Sequence, residues 1–384
     1  MAATGPIDTS PVRGGTAATI GVEEEFVLVD PRTGDPILRS LDVVEAGRVL
    51  GIDLEVELSP CQVETATAVC THPQDLREQL RRSRATAVEA AARAGCRLVA
   101  VGTPIFEPPS GAVTGTPRYQ RMAQHYRGVA DGVICGCHVH IGVDDRDRAA
   151  RIINYLRPWL PTLLALTANS PIADGRDTGH ASWRYLRWGR WPSAGVPPQC
   201  ASAADYDAAV ESLLTTGTIL DPRMIYWDVR ISAHHPTLEI RIADVPATVE
   251  ETVTLATLVY ALVADATASI ERGEAAPSVD QELLRAACWR AARDGLAGHG
   301  VDLGSAQLVP AVDLIRRLLV QVRPVLEELD AYRPVHDSLS VTLDRGNGAI
   351  SQRRIIESGG SFTDVVTDAA RRTVEGCGPD LRPS

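Results

Sequence analysis

Apolar positions recur along this chain with two periods. Alternation with period two, the mark of a strand whose side chains point to opposite faces, appears at 19–29 (TIGVEEEFVLV), 52–58 (IDLEVEL), 61–69 (CQVETATAV), 97–101 (RLVAV), 133–143 (VICGCHVHIGV) and 237–243 (TLEIRIA). A period near 3.6 predicts helices over 73–94, 117–130, 147–168, 205–217, 247–272, 279–297 and 308–329. The first of these has the clearest ends. Thr71 with Gln74 three residues on has capping-box spacing, and Gly95 closes the helix. Strands and helices in mixed order, with stretches able to form hairpins, predict an α+β fold. The segment 170–200, rich in Gly, Pro, Trp and Arg, reads as a long loop, and loops of that length in a compact domain are often functional.

The alternating segments share one property: each has an apolar face and a face that carries chemistry. Ile20, Val22, Phe26 and Leu28 oppose Glu23 and Glu25. Ile52, Leu54, Val56 and Leu58 oppose Asp53, Glu55 and Glu57. Gln62 and Glu64 fall together. His138 and His140 lie opposite Cys135, Cys137, Val139 and Ile141, and Glu239 and Arg241 lie opposite Leu238, Ile240 and Ile242. If these strands pair in one sheet, its polar face gathers Glu23, Glu25, Glu57, Glu64, His138 and Glu239. The alternative is a sheet with one face in water.

Two carboxylates ~4 Å apart repel by roughly 4 kcal/mol at an effective dielectric of 20. Several such pairs exceed the ~5–15 kcal/mol stability of a typical domain, so the cluster requires protons or cations. Hard oxygen ligands with one imidazole favour Mg²⁺ or Mn²⁺ over zinc. Mg²⁺ usually completes its shell with phosphate oxygens, which points to a nucleotide.

Composition narrows the chemistry. All 38 basic residues are Arg. A Walker-type phosphate loop and a protein kinase both require a Lys, and Schiff-base chemistry needs one too, so all three are excluded. Phosphate handling must rest on Arg, backbone N–H groups and metal ions. The net charge of −11 argues against nucleic acid or an anionic membrane as partner. The eight Cys include no CxxC pair and read as reduced core thiols of a cytoplasmic protein. Residues 1–17 read as a flexible tail without a signal-peptide core. The longest apolar runs are interrupted by Asp or Thr and read as too short to span a bilayer.

CGCHVH also suggests zinc, but alternation turns both Cys away from both His. An HxH pair occurs in metal-dependent amidohydrolases, yet no regular βα repeat of the barrel type is present. The run SWRYLRWGRWP offers either a stacking surface for a purine or a loop packed on the core. Asp144–Arg148 is read as a solvated helix start.

Seven ordered motifs carry a family resemblance. TIGVEEEFVLVDPRTGDP, VETATAVC, RYQRM, GCHVHIGV, ANSPIADGRDTGHASWR, WDVRIS and LEIRIADVPAT resemble the YbdK-like carboxylate–amine ligases, also called type-2 glutamate–cysteine ligases, over residues 18–375. The resemblance implies one catalytic domain over 18–375, with a C-terminal tail over 376–384. It implies a glutamine-synthetase-like fold, a curved and mainly antiparallel sheet with helices packed outside. It also implies ATP, Mg²⁺ and an acyl-phosphate intermediate.

By motif position, Glu23 and Glu25 resemble the first metal-binding pair and Glu57 and Glu64 the second, with Glu57 in the more variable stretch. His138 resembles the imidazole near metal and nucleotide, and Glu239 the later metal ligand. Arg241 resembles the phosphate-contacting arginine. Asp177, Ser182 and Arg184 fall in the loop that resembles the family's substrate loop, and His140 and Arg230 are further substrate-binding candidates; Arg184 or Arg230 would clamp an amino-acid carboxylate. Trp227, Asp228 and Arg230 match a motif without an assigned role. The implied reaction joins glutamate to cysteine, giving gamma-glutamylcysteine. A different amine or acid in secondary metabolism, a metal-dependent hydrolase and an inactive binding homologue are the alternatives. A homodimer is a family-based expectation.

Overall fold

The alternating stretch 19–29 becomes a central strand of the molecule. In this computed structural model, which describes residues 18–378, the strands are β1 Ile20–Val29, β2 Leu54–Val56, β3 Gln62–Ala66, β4 Arg97–Val99, β5 Gly136–Gly142, β6 Ile172–Ala173, β7 Arg176–Asp177, β8 Val229–Ile231, β9 Thr237–Asp244, β10 His299–Asp302 and β11 Gln307–Pro310. The tail expected over 1–17, and residues 379–384 of the expected C-terminal tail, lie outside the described residues. Seven strands form one sheet in the order β2-β3-β1-β5-β9-β8, with β4 also paired to β1. Every pairing in it is antiparallel. Helices cover its apolar face, as the α+β reading expects.

Two apolar clusters back the sheet. One joins Val139, Ile141, Leu238 and Ile240 to Leu255, Leu258 and Leu262 of the helix Val249–Glu271. The other joins Phe26, Leu28 and Leu98 to Val43, Ala87 and Ala90. β1 contributes Ile20 and Val22 to the first and Phe26–Val29 to the second.

Between them, on the same apolar face, sits Glu24. It is 0% exposed and bound by Arg84 through two bonds of 2.9 and 2.6 Å. Thr252 donates to the same carboxylate at 2.7 Å, and Arg84 also donates to the carbonyls of Pro246, Ala247 and Thr373. Arg84→Met is expected to lower stability by about 3–5 kcal/mol, because Glu24 is left buried without its partner. Urea unfolding reads the difference, and a loss below ~1 kcal/mol would contradict this account.

Several expected boundaries shift for local reasons. The helix over 73–94 runs Pro73–Arg93, and its cap is His72 rather than Thr71, with His72 Nδ1 accepting the Gln74 N–H. The helix expected over 117–130 ends at Tyr126, because Arg127 takes a positive φ of 47°. The stretch 147–168 divides into Arg146–Leu156, a 3₁₀ turn and Leu160–Thr167, where Pro158 lacks an N–H to donate. Residues 307–310 pair with 299–302 in a hairpin, so that helix begins only at Ala311. The segment 170–200 is not one loop. It holds the β6–β7 hairpin and the helix Trp183–Trp188. The helix Val249–Glu271 has 23 residues, so by length and composition it is able to cross a membrane, contrary to the reading from its sequence. The fold buries 72% of its apolar window.

Candidate active site

Antiparallel register places the charged residues in rows across the sheet. On β1, Glu25 stands opposite Glu64 of β3, and Glu64 stands opposite Glu55 of β2. Glu23 stands opposite His138 of β5. His140 stands opposite Glu239 of β9, and Glu239 stands opposite Arg230 of β8. Because alternate residues share a face, one strand pairing after another builds a single polar surface. A cavity of about 280 Å³ opens on it.

The cavity has two electrically distinct sides. Glu23, Glu25, Glu55, Glu57 and Glu64 line it together with His138. So do Arg118, Arg184, Arg223, Arg230 and Arg241. Their order in the sheet separates the signs: carboxylates come from the β2-β3-β1 side, and Arg230 and Arg241 from β8 and β9.

The acidic side forms three overlapping groups, in each of which one donor atom per residue lies within 4.8 Å of the others: Glu23, His140 and Glu239; Glu23, Glu64 and His138; and Glu25, Glu57 and Glu64. Burial pushes the Glu64 carboxyl well above its usual range, and Glu23 and Glu57 push it further. Burial and the neighbouring Glu25 raise Glu57 to about 7. Burial also raises Glu25, against the opposing pull of Arg184 and the Gly136 N–H. Glu23 goes the other way: burial disfavours its charge, but bonds from His138 and His140 overcome that and hold it below the ordinary range. Burial and Arg241 lower His138 to about 4, so the ring is neutral near pH 7.

His138 Nδ1 lies 3.0 Å from Glu23, which assigns its N–H to that carboxylate. Nε2 then carries a lone pair, has no hydrogen-bond partner and is 3.9 Å from Glu25. A neutral imidazole with a free lone pair, among carboxylates that cannot all ionise alone, fits a hard divalent cation such as Mg²⁺ or Mn²⁺.

On the cationic side, Arg241 bonds Glu239 and lies 3.5 Å from His138 Nδ1, while its Nε has no partner. Burial opposes its charge, but Glu239, Glu25 and Glu23 hold it protonated. Arg184 is 1% exposed and reaches the carbonyls of Arg241 and Ile242 at 3.3 and 3.4 Å. Its Nε is likewise unpartnered. Arg184 passes so close to β5 that a Cβ on Gly136 would sit 2.2 Å from its Nη2, which explains a glycine at that strand position.

With this geometry established, the comparisons with known proteins are decisive. The sequence pattern of glutamate-cysteine ligase family 2 matches residues 19–373. The chain belongs to glutamate-cysteine ligase family 2. A Nocardia farcinica (strain IFM 10152) relative, named "Putative glutamate--cysteine ligase 2-1", is 49% identical over 365 residues, 95% of each chain. A Mycolicibacterium smegmatis relative, "Putative glutamate--cysteine ligase 2-3", is 48% identical over 358 residues, 93% of this chain and 98% of that one. The fold matches glutamate–cysteine ligase from Francisella tularensis in complex with AMP, with TM-score 0.68 at 12% identity over 94% of this chain and 89% of that one. It also matches a bifunctional glutathione synthetase from Pasteurella multocida, with TM-score 0.66 at 15% identity, covering 94% of this chain and 52% of that one.

In this family 2 ligase fold, three residues expected to meet substrate are otherwise engaged. Asp177 is exposed on the β6–β7 hairpin, is bound to Arg353 at 2.9 and 3.0 Å and does not line the cavity. Ser182 is buried beneath it, donating to Asp244 at 2.7 Å and capping the helix Trp183–Trp188. Arg230 lines the cavity, but Glu239 takes two of its donor nitrogens and the Arg223 and Ile225 carbonyls take the third. Arg184 also lines the cavity, with Nη1 and Nη2 on the Ile242 and Arg241 carbonyls.

His140 bonds Thr237 and lies 3.2 Å from Glu23. Glu239 shares a ligand group with both, though its oxygens already accept from Arg230 and Arg241.

Other lining residues went unassigned in the sequence: Tyr119, whose hydroxyl lies 3.4 Å from Glu57, and Arg118, Arg223, Trp188, Trp191 and Tyr226. The RYQRM motif marked the first two, and the Trp-rich run marked two of the aromatics. Nothing in the local pattern of Arg223 or Tyr226 set either apart.

Proposed function

We propose that the protein is an ATP- and Mg²⁺-dependent carboxylate–amine ligase that joins the side-chain carboxylate of glutamate to the amine of cysteine. The observation that carries the reading is the divided cavity, with five carboxylates and an imidazole facing five arginines. Membership of the glutamate-cysteine ligase family supports the substrate pair.

A carboxylate is a poor acylating agent, because its leaving group is oxide. Attack of a glutamate side-chain oxygen on the γ-phosphorus of ATP forms the acyl phosphate and releases ADP. The amine nitrogen then attacks the acyl carbon, and inorganic phosphate leaves with the amine proton passing to solvent. Glu23, Glu25, Glu57, Glu64 and His138 would hold divalent cations, which supply compensation for phosphate charge. Arg241 places fixed positive charge at the transferring group, where such preorganised charge supplies a few kcal/mol of barrier lowering. The planar fork of Arg184 orients the amino-acid carboxylate. Trp191 and Tyr226 line the cavity together with the arginines and add apolar surface there.

Purified protein with ATP, Mg²⁺, glutamate and a panel of amines is expected to release ADP in an amine-dependent way. Mass detection should show a condensed amide, largest with cysteine. Preference for another amine would replace the substrate. Amide hydrolysis without nucleotide would replace the reaction.

A further inference from the structure

Two of the cavity's arginines share a neighbour that no charge pairing explains. Arg241 Cζ lies 5.7 Å from the ring centroid of Trp188, and Arg184 Cζ lies 6.0 Å from the same ring. Both distances are within the ~6 Å range of cation–π attraction. Arg184 and Trp188 are four residues apart on the helix Trp183–Trp188, so one face presents both. Arg241 arrives from β9. The two arginines are 1% and 8% exposed. Among the described residues Arg184 forms no ion pair, and its two carbonyl contacts are long. Each arginine keeps an Nε–H that is buried and unpartnered.

Trp188 is itself held. Its Nε1–H donates to the Tyr226 carbonyl at 3.2 Å, and its ring packs 4.4 Å from Tyr226 and 6.3 Å from Trp191. A ring already packed in this way is a poor platform for a purine. It is a good backing surface for two cations that repel one another.

We infer that Trp188 is a positioning residue, whose ring fixes Arg184 and Arg241 in the wall of the cavity so that their positive charge is held in place for the anionic groups carried by the substrates. The inference rests on the ligase reading for its kinetics but not for its geometry.

The test compares Trp188→Leu, which removes the π face, with Trp188→Phe, which retains one. Trp188→Leu is expected to lower kcat by about tenfold at saturating ATP and glutamate, the size of one or two lost cation–π contacts. The KM for ATP should stay within about threefold and the melting temperature should hold, while Trp188→Phe keeps most of kcat. Equal damage from Phe and Leu would overturn the inference. So would a Leu variant impaired only in the KM for ATP, which would make Trp188 a base-stacking surface. A wild type without acid-dependent ATP turnover would sink the ligase reading alone. Calorimetric titration with inorganic phosphate in the presence of Mg·ADP then decides this one. About tenfold weaker phosphate binding in the Leu variant, recovered in the Phe variant, supports positioning; equal affinities reject it.

Discussion

Glu64→Gln is expected to lower turnover by about a hundredfold or more while the protein stays folded. Glu64 belongs to two of the three overlapping ligand groups, one with Glu23 and His138 and one with Glu25 and Glu57. Its loss therefore weakens two cation positions together. The amide matches the carboxylate in shape, so β3 and its register with Glu25 and Glu55 should persist. The effect on stability has the opposite sign. Burial first, and then the surrounding carboxylates, hold the Glu64 pKa well above its usual range, so a side chain that is permanently neutral removes the cost of keeping this carboxyl there. In a chelator the variant should melt at or above the wild-type temperature, and added Mg²⁺ should stabilise it less. Kinetics over a range of Mg²⁺ concentrations, with melting curves in EDTA and in Mg²⁺, test both halves. Normal activity would remove the cation-cluster account.

Arg241→Ala should lower kcat by at least about tenfold, toward the hundredfold seen when one preorganised donor is lost. The guanidinium is buried, is held protonated by Glu239, Glu25 and Glu23, and belongs to a residue that lines the cavity. Glu239 keeps its two-point contact with Arg230 in the variant, so the sheet is not left with a bare buried carboxylate. The KM for glutamate should change little, because the proposed mechanism sets Arg241 at the transferring group. Steady-state measurements with glutamate and ATP varied separately distinguish the outcomes. A variant altered only in the KM for the amino acid would show that Arg241 holds substrate and not phosphate.

Alternation made much of this site legible before any coordinates. Glu23, Glu25, Glu64, His138, Glu239 and Arg241 share one polar surface, since the antiparallel ladder carries facing from strand to strand, with one register shift between Cys137 and Val139 where β5 meets β9. The ladder's order was not legible. Nothing in 19–29 says that β1 meets β3 on one edge and both β5 and β4 on the other.

Glu24 shows the limit from another side. Its position on the apolar face is plain from the alternation, but its partner Arg84 comes from a distant helix. Asp177 and Ser182 sit inside a motif that resembles a substrate loop, yet local bonds to Arg353 and Asp244 decide where they point. Trp188 gained its role only when β9 brought Arg241 beside a helix that already carried Arg184.

The cationic side of the cavity is built from arginine alone, in a chain with no lysine at all. Arg stays protonated in proteins, whereas a buried lysine readily loses its proton and becomes a nucleophile. In the proposed mechanism an acyl phosphate formed between these walls would meet no side-chain amine to acylate. Under that mechanism the groups that meet the anions would not compete with the incoming amine as amines themselves. Self-acylation at lysine, one hazard for an enzyme that makes an electrophile beside its own side chains, would be removed by the choice of base.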